Sequence, residues 1–292
     1  MSTAENIDNS VAPLIEHLIE LRSRLIKSLL AFIVGMIICF AVWNPIFDFL
    51  THPLCTALEA GGQNCGLIFI ALEEGFMVAI QMSLLGGLCL SFPFISYQLW
   101  RFIAPGLYRS EKGSFLPFLV ASPFMFLLGA ACAYYVITPL AFTFFLGFQQ
   151  PGTLTEGPET ATQAAGLLFQ GSANAYLNLT VKFIVAFGLC FQLPVLLTLM
   201  GKAGLVSAAG LRSTRKYAVV GILTVAAIAT PPDVVSQVIL FSIIYGLYEI
   251  SIQLVARMER LRLIELRRNG LVGEDEDMYG NTLNPTDVDK KL

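Results

Sequence analysis

Residues 75–100 read GFMVAIQMSLLGGLCLSFPFISYQLW, an unbroken run without Asp, Glu, Lys or Arg. A hydrocarbon core of roughly 30 Å is crossed by about 20 such residues in an α-helix, which satisfies every backbone N–H and C=O within the segment. The stretch therefore reads as a membrane span and sets the fold class as an all-α integral membrane protein. Working outward, charge-free runs also cover Ser28 to Phe47 and Gly113 past Pro139. A fourth run, Ala175 to Met200, is interrupted only by Lys182; a fifth covers Tyr217 to Pro232, and a sixth, Val234 to about Ala256, contains Glu249. Six transmembrane helices are expected, with both termini on one side. The fifth, at about 15 helical residues and roughly 22 Å, is shorter than the hydrocarbon core, so local bilayer thinning is expected there.

The composition agrees. Of 292 residues, 55% are apolar and 13% charged, with a mean hydropathy of +0.70, whereas a soluble domain carries about 25% charge. A net charge of −3, from 18 basic and 21 acidic side chains, excludes a nucleic-acid binder driven by bulk phosphate attraction. The placement of Lys and Arg gives the orientation, because basic loop residues stay on the cytoplasmic side. Arg22, Arg24 and Lys27 precede or edge the first span; Arg101, Arg109 and Lys112 lie in the second loop; Lys202, Arg212, Arg215 and Lys216 in the fourth. The tail holds Arg257, Arg260, Arg262, Arg267, Arg268, Lys290 and Lys291, so Lys182 is the one basic residue among the 18 that lies elsewhere. The alternate loops contain only acidic charges, such as Asp48, Glu59, Glu73, Glu74 and Asp233. Both termini are expected in the cytoplasm.

Three regions follow: a cytoplasmic N-terminal segment with an amphipathic helix (1–22), a six-helix membrane domain (23–256), and a basic helix extension with a disordered acidic tail (257–292). The basic part interleaves Leu261, Leu263, Ile264 and Leu266 with arginines, a pattern suited to anionic lipid. Residues 1–22 carry Glu5, Asp8, Glu16 and Glu20 instead of a basic start and apolar core, so the first span is expected to act as the targeting signal. Cys39, Cys89, Cys132 and Cys190 fall inside spans and read as small packing residues. Cys55 and Cys65 share the first external loop, where an oxidising compartment would allow a disulfide.

Sites for chemistry are sparse. The two histidines, His17 and His52, lie outside the spans, and no HExxH, GxSxG or phosphate-binding GxxxxGK[ST] occurs. No catalytic group, metal site or cofactor is implied. Lys182, Gln192, Gln237 and Glu249 are polar at or near membrane depth, which fits either a functional role or interface placement and hydrogen bonding between helices. Pro93, Pro117, Pro123, Pro194 and the Pro231–Pro232 pair fall in or at the ends of spans. Kinked helices around a concave, cupped face are the expectation.

Three strings carry a resemblance. His17-Leu18-Ile19-Glu20-Leu21-Arg22-Ser23-Arg24-Leu25, the loop stretch Tyr97 to Glu111 (YQLWRFIAPGLYRSE), and Thr230-Pro231-Pro232-Asp233 followed by Ser236-Gln237 resemble, in order and on a matching topology, the twin-arginine translocase C subunit, the TatC family. Pro139-Leu140-Ala141-Phe142, Ala186-Phe187-Gly188 and Leu193-Pro194-Val195 also fit. The resemblance covers about residues 14 to 256.

It implies a receptor in the bacterial cytoplasmic (inner) membrane for folded proteins whose N-terminal signal carries two adjacent arginines. It also implies complex formation with TatB and TatA, self-association, and transport driven by the proton-motive force. Glu20, Arg22, Leu25, Phe102 and Glu111 would form the signal-binding region. Two carboxylates, Glu20 and Glu111, suit two guanidinium groups, whose planar fork Lys cannot reproduce. The residues also admit a plainer reading, in which Glu20 pairs with Arg24 at i, i+4 and Glu111 is a solvated loop charge. Phe102 doubles as an aromatic anchor at the interface, like Trp100 and Tyr108. Gln192 and Gln237 would reach into the concave face beside the signal's apolar segment. At position 192 the family frequently has glutamate, so the amide here points to a role through polarity and not ionisation. Met200, Leu205, Pro231, Pro232 and Asp233 would dock the TatB or TatA helix, although Asp233 also reads as a helix cap. Two other classes compete. A solute transporter usually shows repeat symmetry between halves, which is not evident here, and an intramembrane protease needs a catalytic constellation that this chain lacks.

Overall fold

The computed structural model describes residues 4–60, 65–103, 116–147, 171–230 and 234–270. The chain divides into two compact units, Met1–Leu189 and Cys190–Leu292. Among the described residues, five helical stretches are long and apolar enough to cross a membrane: Leu18–Ala41, Glu74–Phe102, Phe118–Leu146, Ala173–Lys202 and Val234–Arg268.

In the first unit, α1 (Ala4–Ala41) carries the N-terminal segment and the first span as one helix. The charge-free run continues to Phe47, but the helix does not. Pro45 has no N–H to donate to the carbonyl of Ala41, the chain turns at Val42, and α2 (Trp43–Ala60) begins. The segment that follows the first span is thus largely helical. α1 packs mainly on α3 (Glu74–Ile103) through small residues. A Cβ on Gly87 would lie 2.7 Å from the Met36 nitrogen, and one on Gly35 3.0 Å from the Gly87 oxygen. Such close backbone approach is how helices associate in lipid, where apolar side chains gain nothing by leaving the tails. Much of α1 between Leu18 and Ala41, including Leu29, Val34 and Ile37, is exposed.

α4 (Leu116–Cys132), a π-helical turn (Ala133–Ile137) and α5 (Thr138–Leu146) follow one another. Pro139 cannot donate to the carbonyl of Tyr135, and the widened turn lets the Thr138 N–H reach back to the Ala133 oxygen instead. α6 (Ala173–Cys190) completes the unit. Phe126 is fully buried, stacked on Phe92 at 3.9 Å between centroids and set over Gly188, where an added Cβ would come within 2.6 Å of its ring. Ser96 and Ser122 join α3 to α4 at 3.2 Å, and Gln81 donates to Asn174 of α6 at 3.0 Å.

The second unit begins with the break at Phe191 and Gln192, where Pro194 leaves the carbonyl of Cys190 without a helical donor. α7 (Leu193–Lys202) packs on α10 (Val234–Arg268), with Gly201 against Val255. The short α8 (Ala208–Ser213) is capped by Ser207, whose oxygen accepts from the Gly210 N–H at 3.0 Å. Glu259 of α10 accepts the Ala208 N–H at 3.0 Å. α9 (Arg215–Ala229) has 15 residues, the length expected of the short fifth span. α10 buries one stripe, Ser236, Leu240, Ile244, Leu247, Ser251 and Val255, and runs unbroken through the basic segment to Arg268.

Candidate functional site

Near the start of the first span, Glu20 and Arg24 stand one helical turn apart on α1. Arg24 donates from Nη2 and Nε to the same oxygen, Glu20 Oε1, at 2.6 and 3.1 Å. Its third bond, from Nη1, crosses to α3 and ends on Gln98 Oε1 at 3.2 Å. Gln98 is 6% exposed, the Arg24 side chain 14% and the Glu20 side chain 33%. The plainer pairing of Glu20 with Arg24 is therefore present. Both of these bonds fall on Oε1, and Arg24 leaves Glu20 Oε2 unused. On the same helix, Arg22 and Leu25 are exposed. Phe102 is half-buried at the end of α3, one residue beyond Arg101, whose guanidinium lies 6.0 Å from the Tyr97 ring centroid. Glu111 lies outside the described residues.

The other polar residues divide by surroundings. Gln192 occupies the cap position of α7 without capping it through its side chain, and Gln237 lies in the first turn of α10; both are half-buried. Glu249 is held at the edge of the second unit: Arg215 Nη2 donates to its Oε2 at 2.7 Å and the Tyr245 hydroxyl to its Oε1 at 3.0 Å. Lys182 is exposed on α6. Met200 is half-buried in α7 and Leu205 is 74% exposed, while Pro231, Pro232 and Asp233 lie outside the described residues. α9 buries only Ile222 and Ala226 and exposes Tyr217, Val220, Leu223, Val225 and Ile228.

On the other side of the first unit, Cys55 of α2 and Cys65 are joined as a disulfide. Just beyond, Ile68 pairs with Ser172 in an isolated parallel bridge. Glu74 binds both ends of that junction, accepting the Ile70 N–H at 2.7 Å and the Ser172 hydroxyl at 3.4 Å. Among the described residues, no group of three or more His, Cys, Asp or Glu side chains is placed to hold a metal ion.

The family model for Sec-independent protein translocase protein (TatC) matches residues 16–242, taking in the Glu20–Arg24–Gln98 cluster and all of α7 to α9. The chain belongs to the TatC family. It is 46% identical over 251 residues to the TatC protein of Magnetococcus marinus, covering 86% of each chain. It is 37% identical over 240 residues to that of Escherichia coli, covering 82% of this chain and 86% of the relative. A solved structure titled as the twin arginine translocase receptor TatC superposes with a TM-score of 0.69 at 37% identity, covering 82% of this chain and 97% of the other. A TatC structure in the detergent DDM gives 0.70 over the same share of this chain. The chain is thus a membrane-helical component of a protein translocase.

Within this TatC-family chain, sequence reasoning named Glu20 and quoted the string containing Gln98, but did not join them. Their partner Arg24 lies 74 positions from Gln98, and a lone glutamine in an apolar run gives no local sign of what it binds. The only hint was the isolation of that amide between Tyr97 and Leu99.

Proposed function

We propose that the chain is the membrane receptor of the twin-arginine export system, binding signals with two adjacent arginines and moving folded proteins across the bacterial cytoplasmic membrane with TatB and TatA. Six spans with both termini in the cytoplasm, self-association, and coupling to the proton-motive force without ATP belong to the same reading. The observation that carries it is the state of Glu20. Its carboxylate already accepts a guanidinium fork, at 2.6 and 3.1 Å on one oxygen, in a side chain that is 33% exposed. A group that holds one arginine in this geometry suits another, because the paired N–H donors of a guanidinium match a carboxylate and a lysine ammonium does not.

In this reading Glu111 takes the second arginine, Arg22, Leu25 and Phe102 flank the bound signal, and Gln192 and Gln237 meet its apolar segment on a concave face. The exposed apolar surface of α9, with Met200, Leu205, Pro231, Pro232 and Asp233, receives the TatB or TatA helix; lipid covers what remains exposed. Photocross-linking of the purified complex to a twin-arginine signal peptide tests the assignment. Adducts are expected with the Arg-Arg peptide, to fade with Lys-Lys, and to fall in Glu20→Ala and Glu111→Ala. Adducts indifferent to both the peptide and the substitutions would remove it.

A further inference from the structure

The fork of Arg24 is divided between two helices. Two of its bonds land on Glu20 Oε1 and one on Gln98 Oε1. A helix-surface pair one turn apart needs no third member, and exposed pairs of this kind contribute little. Here the arginine is 14% exposed and its second acceptor is 6% exposed, in a run without Asp, Glu, Lys or Arg. An amide there has a job only if something polar comes to it.

We propose that Arg24 is the internal occupant of the guanidinium seat on Glu20, and that Gln98 is the second acceptor onto which Arg24 moves when an incoming signal arginine takes that seat. The inference rests on the receptor reading above. Two cations on one carboxylate repel, so an arriving guanidinium that spans both Glu20 oxygens displaces Arg24 from Oε1. The withdrawn N–H groups cannot turn to water at so buried a position and must find protein acceptors. Gln98 Oε1 already holds one and has a second lone pair. A lysine brings a single point charge that does not replace a fork held at two points, so the internal arginine also screens out lysine signals. Arg24 and Gln98 are positioning residues, acting through Glu20.

The test is the binding of fluorescent Arg-Arg and Lys-Lys signal peptides to the full-length protein in detergent, for the parent, Gln98→Leu, Gln98→Glu and Glu20→Ala. Gln98→Leu takes away the second acceptor and should weaken Arg-Arg binding by about tenfold. Gln98→Glu draws Arg24 off Glu20 through a charge-assisted pair and should tighten it by about threefold. Lys-Lys binding should be unmoved by Gln98→Leu and, with Arg24 drawn off the seat, should rise in Gln98→Glu by less than Arg-Arg binding does. Opposite signs at one position are what a purely structural glutamine would not give. If both variants shift Arg-Arg affinity the same way, leave it unchanged, or change both peptides alike, the exchange is wrong. Should Gln98→Leu fail to fold, the sign of Gln98→Glu alone decides. A parent that does not distinguish the peptides, or is indifferent to Glu20→Ala, removes the receptor reading itself.

Discussion

The hydroxyl of Tyr134 donates to the backbone oxygen of Phe49, and that of Tyr176 to the neighbouring Leu50 oxygen at 2.6 Å. The reason lies four residues on. Pro53 sits inside α2 and has no N–H, so the Phe49 carbonyl lacks its helical donor and would be unpaired in a part-buried setting. Tyr134 supplies the bond and stacks on Phe49 with centroids 4.4 Å apart. Replacing Tyr134 with Phe keeps the ring and removes the donor, and should cost about 1–3 kcal/mol, lowering the thermal midpoint of the purified protein. Tyr135→Phe is the control: its side chain is 67% exposed and should leave the midpoint unmoved. Equal midpoints for the two variants would mean that the Phe49 carbonyl is satisfied otherwise. The proline was visible in the sequence, but its consequence was not, because the compensating Tyr134 lies far along the chain. Glu20 and Glu249 show the same division. For Glu20 the i, i+4 spacing already offered Arg24 and only the folded chain supplied Gln98, whereas for Glu249 the folded chain supplied both Arg215 and Tyr245.

Hydropathy located the long helices because the bilayer constrains each segment separately, so the signal is local in sequence. Breaks were harder to place. Pro194 marked the turn between α6 and α7, but Pro45 within a charge-free run concealed the end of α1, and the π-helical turn before Pro139 has no compositional sign. Helix contacts left little trace for a similar reason: in lipid they are written in small residues, which hydropathy ignores. The α1–α3 crossing depends on Gly35, Gly86 and Gly87, and Gly86 is set against Cys39, whose sulfur would lie 2.8 Å from an added Cβ. Gly87→Val forces a branched side chain into the Met36 backbone and should destabilise by about 3 kcal/mol. Gly246 of α10 has open space where its Cβ would be, so Gly246→Ala should be neutral or add up to about 1 kcal/mol through helix propensity. Thermal unfolding of both variants in one detergent makes the comparison. A Gly87→Val protein as stable as the parent would mean that α1 is held by something other than this crossing.

Across the whole molecule, the distribution of Lys and Arg predicts which loops face the cytoplasm, and the pairing in the second unit makes that prediction sharp. The Arg215–Glu249 bond at 2.7 Å sets the first residue of α9 level with the middle of α10. The part of α10 from Val234 to Glu249 then runs beside α9 over a matching length, roughly 22 Å. A hairpin of that length crosses only where the bilayer thins or where charged side chains at its ends reach the headgroups. If it crosses, Ser213 before α9 and Asn269 after α10 lie inside, and Val234, 74% exposed, lies outside. Single cysteines at these three positions, in a chain with Cys39, Cys89, Cys132 and Cys190 changed to alanine, separate the cases. A membrane-impermeant maleimide added to intact cells should label Val234→Cys at once, and Ser213→Cys and Asn269→Cys only after permeabilisation. Cys55 and Cys65, bridged to each other, should stay unlabelled until reduced, and should then react from outside. Should Val234→Cys label only after permeabilisation, α9 and the first turns of α10 would form a re-entrant pair. α10 would then return with α9 to the side it entered from, four of the five longer stretches would be the only spans, and the tail, with its arginines, would stay inside.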